Sequence, residues 1–163
     1  MSSIAKLRDV TGFRGEKFVE ICLTNFVPPV GYLFRPGFLG DKWPAIDFYV
    51  ELDGIVGKRP YFFVQTKTTS AKLSIEVDSL RISSTKNDVN RLLQIPGPTY
   101  ILGVHEPSGR VFAKSVHSGV EAKAITRIEL KHELHTTNLQ RLYDEVRLFW
   151  QISQHKPFIS AFA

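Results

Sequence analysis

The sequence predicts an α/β fold in which a central mixed β-sheet is flanked by helices. Two observations carry the prediction. Apolar residues recur at helical spacing near both ends of the chain, and a series of short alternating or apolar segments lies between them, with one more helical stretch in their midst. Size and composition agree: 163 residues at 43% hydrophobic content, including 12 Phe and 2 Trp, suffice for one domain around a bulky core. No internal repeat, low-complexity tract or Ser/Gly linker divides the chain. Residues 1–10 read as a loosely held, flexible start, 11–153 as a single domain, and 154–163 as a C-terminal tail.

Residues 12–26 read as a first helix, with Thr11 as its N-cap and Phe18, Ile21, Cys22 and Phe26 at helical spacing. Pro28 and Pro29 end it. Residues 30–44, rich in Gly, Pro and aromatic side chains, read as a short strand and then a long, shaped loop. Residues 46–53 alternate, with Ile46, Phe48, Val50 and Leu52 on one side and Asp47, Tyr49, Glu51 and Asp53 on the other, the pattern of a strand with one buried face. Residues 61–67 form a second strand, joined to the first through the turn-rich DGIVGKRP, so the two make a hairpin. Alternation at 73–77 suggests a third strand. Residues 84–95 read as a short helix capped by Ser84 or Thr85. The apolar segment 99–105, the turn EPSGR and the segment 111–116 make an antiparallel pair. Residues 125–130 have no clear pattern. Residues 137–153 read as a closing helix with Leu139, Leu142, Val146, Phe149 and Trp150 inward.

A formal net charge of +5 and a pI near 9.4 favour a polyanionic partner, nucleic acid ahead of an anionic membrane. Cys22 is the only cysteine, which excludes an internal disulfide and a cysteine zinc site. With no signal-like N-terminus and no apolar run of about 18 residues, the expectation is a cytoplasmic protein away from membranes. Phosphate-binding glycine loops, nucleophile elbows and dinucleotide fingerprints are absent from the sequence.

The chemistry concentrates in PAIDFYVEL and YFFVQTKTT. Strand side chains two apart share a face, so Gln65 and Lys67 project together. Placing Phe62 and Val64 inside with Ile46, Phe48, Val50 and Leu52 puts Asp47 on the Gln65 and Lys67 face. A register that opposes Asp47 to either one brings the three polar groups together, and a one-residue slip would expose the apolar row. The trio suits phosphodiester hydrolysis. The Asp47 carboxylate, the Gln65 side-chain carbonyl and the Thr66 backbone carbonyl are oxygen donors for Mg²⁺. Lys67 would orient the attacking water and stabilise negative charge in the transition state.

An Asp followed one hairpin later by Gln-Thr-Lys on an apolar strand resembles the PD-(D/E)xK nuclease superfamily, in its D…QxK, Mrr-like branch. GFRGEKFVE resembles that superfamily's first helix, and the order of GE helix, IDFYVEL, VQTKTT, YILGVHEPSG and closing helix resembles domain-of-unknown-function family 4365. The resemblance spans roughly residues 12–150. It implies a restriction-endonuclease-like core and a Mg²⁺- or Mn²⁺-dependent nuclease acting on DNA, with RNA as a weaker alternative. Asp47 would be the metal ligand, Lys67 the catalytic lysine, Gln65 would stand at the usually acidic position, and Glu16 would be the first-helix acid. It further implies a setting in bacterial defence or DNA repair, and a homodimer or partner subunit. Gln65 leaves the site one negative charge short of the commoner pattern. A nuclease-fold module that binds nucleic acid or a partner protein without cutting is therefore the alternative.

The same residues admit plainer readings. Asp47, Gln65 and Lys67 fit the solvent side of a half-buried hairpin, and Glu16 fits the start of a helix, where the dipole favours a carboxylate. Glu20, one turn on, is the backup to Glu16. Glu51, Asp41 and Asp53 read as solvent-facing or loop residues. Arg14, Arg35, Lys42, Lys72, Arg81, Lys86 and Arg91 are candidates for phosphate contact, although a solvated surface charge is the favoured reading for any single one. Thr68, Thr69 and Ser70 could donate to phosphate oxygens or serve the strand end. His132 and His135 lack the partners a metal site needs.

Overall fold

The computed structural model describes residues 3–40, 43–57, 59–74, 76–117 and 123–153, with side chains from residue 10 onward. Its elements are α1 (Ser3–Leu23), β1 (Phe26–Val27), β2 (Gly31–Tyr32), β3 (Phe34–Phe38), β4 (Phe48–Leu52), β5 (Tyr61–Thr69), β6 (Ser79–Ser84), α2 (Lys86–Leu93), β7 (Thr99–His105), β8 (Arg110–Val116), β9 (Ile125–Glu129) and α3 (Thr136–Ile152). A five-stranded sheet runs in the order β3-β4-β5-β7-β8. It is mixed: β5 and β7 are parallel and every other pair is antiparallel. A parallel pair needs a crossover, which β6 and α2 supply. The fold is therefore α/β, with a central mixed sheet flanked by helices.

Two apolar layers cover the sheet. On one face, Val19 and Leu23 of α1 and Leu139, Leu142 and Val146 of α3 pack with Phe48, Val50, Phe62, Val64 and Leu102. On the other, Val89 and Leu92 of α2 and the β6–β9 ribbon, through Leu80, Ile82 and Ile128, cover Ile101 and Phe112. Strand β7 is thus buried on both sides, which explains its unbroken apolar run. Gly103 in that strand admits the ribbon, because a Cβ there would lie 2.8 Å from both Ile128 Cδ1 and Leu80 Cδ2. Burial of side chains the size of Phe62 contributes about 1.5–3 kcal/mol each.

Several expectations are corrected. The first helix begins at Ser3 rather than after Thr11, so Thr11 is an interior helical residue and residues 3–10 are helical. The good helix formers Ala5, Lys6, Leu7 and Arg8 account for the extension. The helix also stops at Leu23. Its inward row is Val19, Cys22 and Leu23, while Ile21 is 60% and Phe26 57% exposed. The expected loop after Tyr32 contains an edge strand, β3, where Pro36 is tolerated because only β4 pairs with it. The strand anticipated at 73–77 gives way to one bridge, Ser74 with Ser79, and the true strand is β6, whose antiparallel partner is β9 at the patternless 125–130 segment. Phe149 is 41% exposed; Trp150 takes the inward place, stacked 4.4 Å from Tyr61 and donating to its carbonyl. Among the described residues no helix is long and apolar enough to cross a membrane.

Cys22 faces the α1–sheet layer and points its thiol at the Leu134 carbonyl, 3.5 Å away. Burial, seconded by the nearby Glu133 carboxylate, pushes the thiol up to about 12. Since the thiolate is the reactive form, a thiol reagent at pH 8 should label native protein far more slowly than urea-unfolded protein. Equal labelling rates would contradict this placement.

Candidate functional site

The unequal lengths of two neighbouring strands create the site. Strand β5 has nine residues and its neighbour β4 five. The pairing register, Phe48 with Val64 through Glu51 with Tyr61, leaves the C-terminal part of β5 without a strand on its β4 side. Asp47 stands where β4 begins. Its N–H donates to Val64 O at 2.8 Å and its carbonyl accepts from Leu39 N at 2.9 Å, so the backbone is fixed from both sides. Its carboxylate accepts the Thr66 N–H at 2.5 Å, standing in for the missing strand. Alternation along a strand turns the Thr66 carbonyl toward that same edge.

Just before Asp47 the chain turns sharply. Ala45 has a positive φ of 69°, and Ile46 N–H donates to Trp43 O. This reverses the strand parity. Ile46 enters the α2-side layer, whereas Phe48, Val50 and Leu52 enter the α1-side layer. The expected common row from Ile46 to Leu52 is therefore broken at its first member.

A cleft of about 780 Å³ opens at this edge, lined by Thr11, Gly12 and Glu16 of α1, by Asp47, by Thr66, Lys67, Thr68, Thr69 and Ser70 of β5 and its exit, and by Ser83 of β6. Helix α1 comes close because Gly15 has no side chain: a Cβ there would fall 1.8 Å from Thr68 Oγ1. That approach carries Glu16 to the cleft. Thr66 Oγ1, on the same wall, is buried and has no hydrogen-bond partner among the described residues.

The structure brings Asp47, Glu16, Thr66 and Lys67 to one cleft. It does not bring Gln65 with them. Gln65 is 4% exposed, its Nε2 donates to Ala45 O at 3.2 Å, and its Oε1 accepts from Ser84 Oγ at 3.3 Å. The carboxamide thus ties β5 to the turn before Asp47 and to β6. Lys67 Nζ lies 3.4 Å from Asp88 Oδ2. Asp88 is the third residue of α2 and closes a capping box with Thr85, each side chain accepting the other's backbone N–H. Burial works against charge on Asp88, but the Thr85 N–H, the Lys67 ammonium and the Thr85 hydroxyl outweigh it and hold the carboxyl below the usual carboxylate range. Asp88, Ser83 and Ser84 were not anticipated at the site. The Thr-Lys-Asn-Asp spacing of the capping box was a signal for Asp88, but nothing local links it to Lys67.

Of the expected phosphate contacts, Thr68 and Thr69 line the cleft, with Thr69 Oγ1 also accepting from Ala71 N at 3.2 Å. Lys72 is exposed just beyond. Arg14 is drawn into an ion pair with Glu106 at 2.8 Å, and Arg35 into one with Asp53 at 2.6 Å. Lys42 and Asp41 lie outside the described residues. Glu51 is engaged by Arg59 and Tyr49, away from the cleft. Among the described residues no group of three or more His, Cys, Asp or Glu is placed to hold a metal. No protein-family model, curated protein or solved structure matches the chain.

Two stability experiments check this geometry. Gly15→Ala should cost about 1–3 kcal/mol by overpacking against Thr68, and Thr68→Ala in the same chain should recover part of it. Additive effects would mean that the two residues do not meet. Asp88→Asn should lower stability at neutral pH by about 1 kcal/mol or less. A carboxyl whose value is lowered by folding stabilises the fold above its ordinary value, 3.8, and loses that contribution as pH falls through the lowered one. The gap between wild type and variant should therefore close in acid well below pH 3.8; a gap that persists there would contradict the assignment.

Proposed function

We propose that this protein is a divalent-metal-dependent nuclease with a restriction-endonuclease-like core, hydrolysing DNA phosphodiester bonds at the cleft beside β5. The observation that carries the reading is the meeting of the Asp47 and Glu16 carboxylates and the Lys67 ammonium at the open edge of β5. The wall around them is largely hydroxyl and backbone, the surface a phosphodiester can hydrogen-bond.

The donor set fits a hard cation. Mg²⁺ and Mn²⁺ take oxygen ligands, and Mg²⁺ is commonly held by one or two carboxylates while keeping several waters. Asp47 and Glu16 would hold the ion, with the Thr66 carbonyl as a neutral third donor; Gln65 is turned elsewhere and drops out of the set. When bound, the ion would polarise the scissile phosphate and acidify a water. The protein's own groups do the rest. Asp47 is rigidly placed, because both backbone polar groups and one carboxylate oxygen are fixed by neighbouring chain. Lys67, whose ammonium lies 3.4 Å from Asp88 Oδ2, would donate hydrogen bonds to a phosphate oxygen or to the attacking water and offset the charge gained in the transition state. Glu16 is the second ligand or the base that takes the water's proton. Thr68, Thr69 and Ser70 supply donors for the flanking phosphates.

The placement of Gln65 favours one other reading, a nuclease-fold module that binds nucleic acid or a partner protein without cutting, since the cleft then lacks the Gln65 side-chain carbonyl as an oxygen donor. Calorimetric titration with Mg²⁺ or Mn²⁺ separates the two. Binding that is lost in Asp47→Ala supports the nuclease, and DNA affinity without metal binding at millimolar concentrations supports the module.

The catalytic test uses nicking of plasmid and branched DNA in Mg²⁺. Asp47→Ala and Lys67→Ala should each slow cutting by at least about 100-fold. Asp47→Asn is the sharper variant, because it keeps an oxygen acceptor for the Thr66 N–H while removing the charge. Any of the three cutting at the wild-type rate, with its melting temperature retained, overturns the residue assignment.

A further inference from the structure

The β6–β9 ribbon carries a charge arrangement that its own fold does not explain. Its register sets Arg81 directly opposite Arg127. Residues so opposed in an antiparallel pair have Cβ atoms about 4.5–5.5 Å apart, where like charges repel and opposite charges are the stabilising choice. Both arginines are exposed, on the face away from the buried Leu80, Ile82 and Ile128. Neither has a carboxylate partner among the described residues, whereas Arg14, Arg35, Arg59, Arg110 and Arg147 are each ion-paired. Arg91 and Arg141 also lack one, but both lie on helices, and neither opposes a cation across a ladder.

The pair sits beside the cleft. The burial pattern of β6 alternates, so Arg81 shares its solvent face with Ser83, two residues on, and Ser83 lines the cleft. Lys72, exposed and likewise without a carboxylate partner, lies on the connection that leaves the cleft at Ser70 and reaches β6 through the Ser74–Ser79 bridge. The acidic groups nearby bound the patch rather than neutralise it. Glu129 is tied to Lys131 at 2.5 Å, and Glu76 and Asp78 stand exposed in the turn before β6, at the end away from Ser83.

We infer that the solvent face of this ribbon, centred on Arg81 and Arg127 with Lys72 at its flank, binds the phosphate backbone of the nucleic acid whose scissile bond enters the cleft. The choice of nucleic acid rests on the nuclease reading above; the cation pair itself does not. Guanidinium groups match phosphate oxygens in geometry and hold their charge at any working pH. A phosphodiester strand lying across the ladder would turn the unfavourable Arg81–Arg127 opposition into two phosphate contacts. Such contacts position the strand and carry no sequence preference.

The experiment measures binding of a fluorescein-labelled DNA duplex to the full chain by anisotropy, in EDTA so that nothing is cut, across a salt series. Arg81→Gln combined with Arg127→Gln should weaken binding by about tenfold or more and make the dependence of log K on log salt shallower by about two, one unit per lost phosphate contact. The melting temperature of the free protein should hold or rise, because a repulsion has been removed. Arg127→Glu alone should raise it while weakening DNA binding, since it places opposite charges across the ladder. An unchanged salt slope in the double variant, or no DNA binding by the unaltered protein, overturns the inference. Cutting by the unaltered protein in Mg²⁺ is scored separately: binding through the ribbon without cutting sinks the nuclease reading and leaves this one standing.

Discussion

The structure around the cleft depends on one substitution of a side chain for a strand. Where β4 gives out, the next backbone donor on β5, the Thr66 N–H, needs an acceptor, and the Asp47 carboxylate supplies it. An unpaired backbone donor at a half-buried edge would cost about 1–3 kcal/mol. This contact therefore lets β5 outrun its neighbour while the sheet stays intact. It also fixes where Asp47 points. The Val64 and Leu39 hydrogen bonds set its backbone, the Thr66 hydrogen bond sets its carboxylate, and the left-handed Ala45 frees the preceding chain to turn into the other layer. A groove results at the end of a strand pair, lined from both layers: Glu16 comes from the α1 side, Lys67 and Ser83 from the α2 side.

Much of this was legible in the sequence, and what was missed shares a physical origin. Strands β5, β7 and β8 and helix α3 show in the residue pattern because their burial is regular. That Asp47 and Lys67 line one cleft agrees with the hairpin register, since a slip of one residue would turn Phe62 and Val64 out of the core. Gln65 was misplaced by the same logic that placed Lys67. The two do share a strand face, but the turn at Ala45 folds over that face and covers Gln65, which only tertiary packing determines. β3 was hidden because an edge strand tolerates Pro and Gly. β6 and β9 were hidden because each is short and half exposed, and because they pair across a long separation in the chain. The long N-terminal reach of α1 was masked by Gly12 and Gly15, which weaken any helix on propensity alone. Gly15 is present for contact with Thr68, a reason invisible before β5 is placed.

Lys67 illustrates how far the site is built from distant pieces. Its ammonium faces Asp88, whose carboxylate already serves the capping box at the start of α2. One acid thus orders a helix terminus and orients a lysine on a neighbouring strand. The pair is half-buried, and one ion pair near a surface is worth about 1 kcal/mol or less. Its effect is geometric. It limits the arcs through which a four-carbon side chain can swing and ties the end of β5 to the start of α2.

The cleft also carries costs that a purely structural edge would avoid. Thr66 Oγ1 is buried without a hydrogen-bond partner among the described residues, and a hydroxyl so placed costs about 1–3 kcal/mol by mutational measure. A valine at this position would match its shape and remove the cost. Nearby, two carboxylates share one cleft, and two arginines oppose each other on the adjoining ribbon. The buried hydroxyl would be relieved by a hydrogen-bonding ligand atom and the arginine opposition by an anion lying across the pair. Proteins depart from local rules chiefly at functional sites. Here two such departures, the Thr66 hydroxyl and the Arg81–Arg127 opposition, stand in neighbouring elements beside the cleft, and the proposed phosphodiester ligand would answer both.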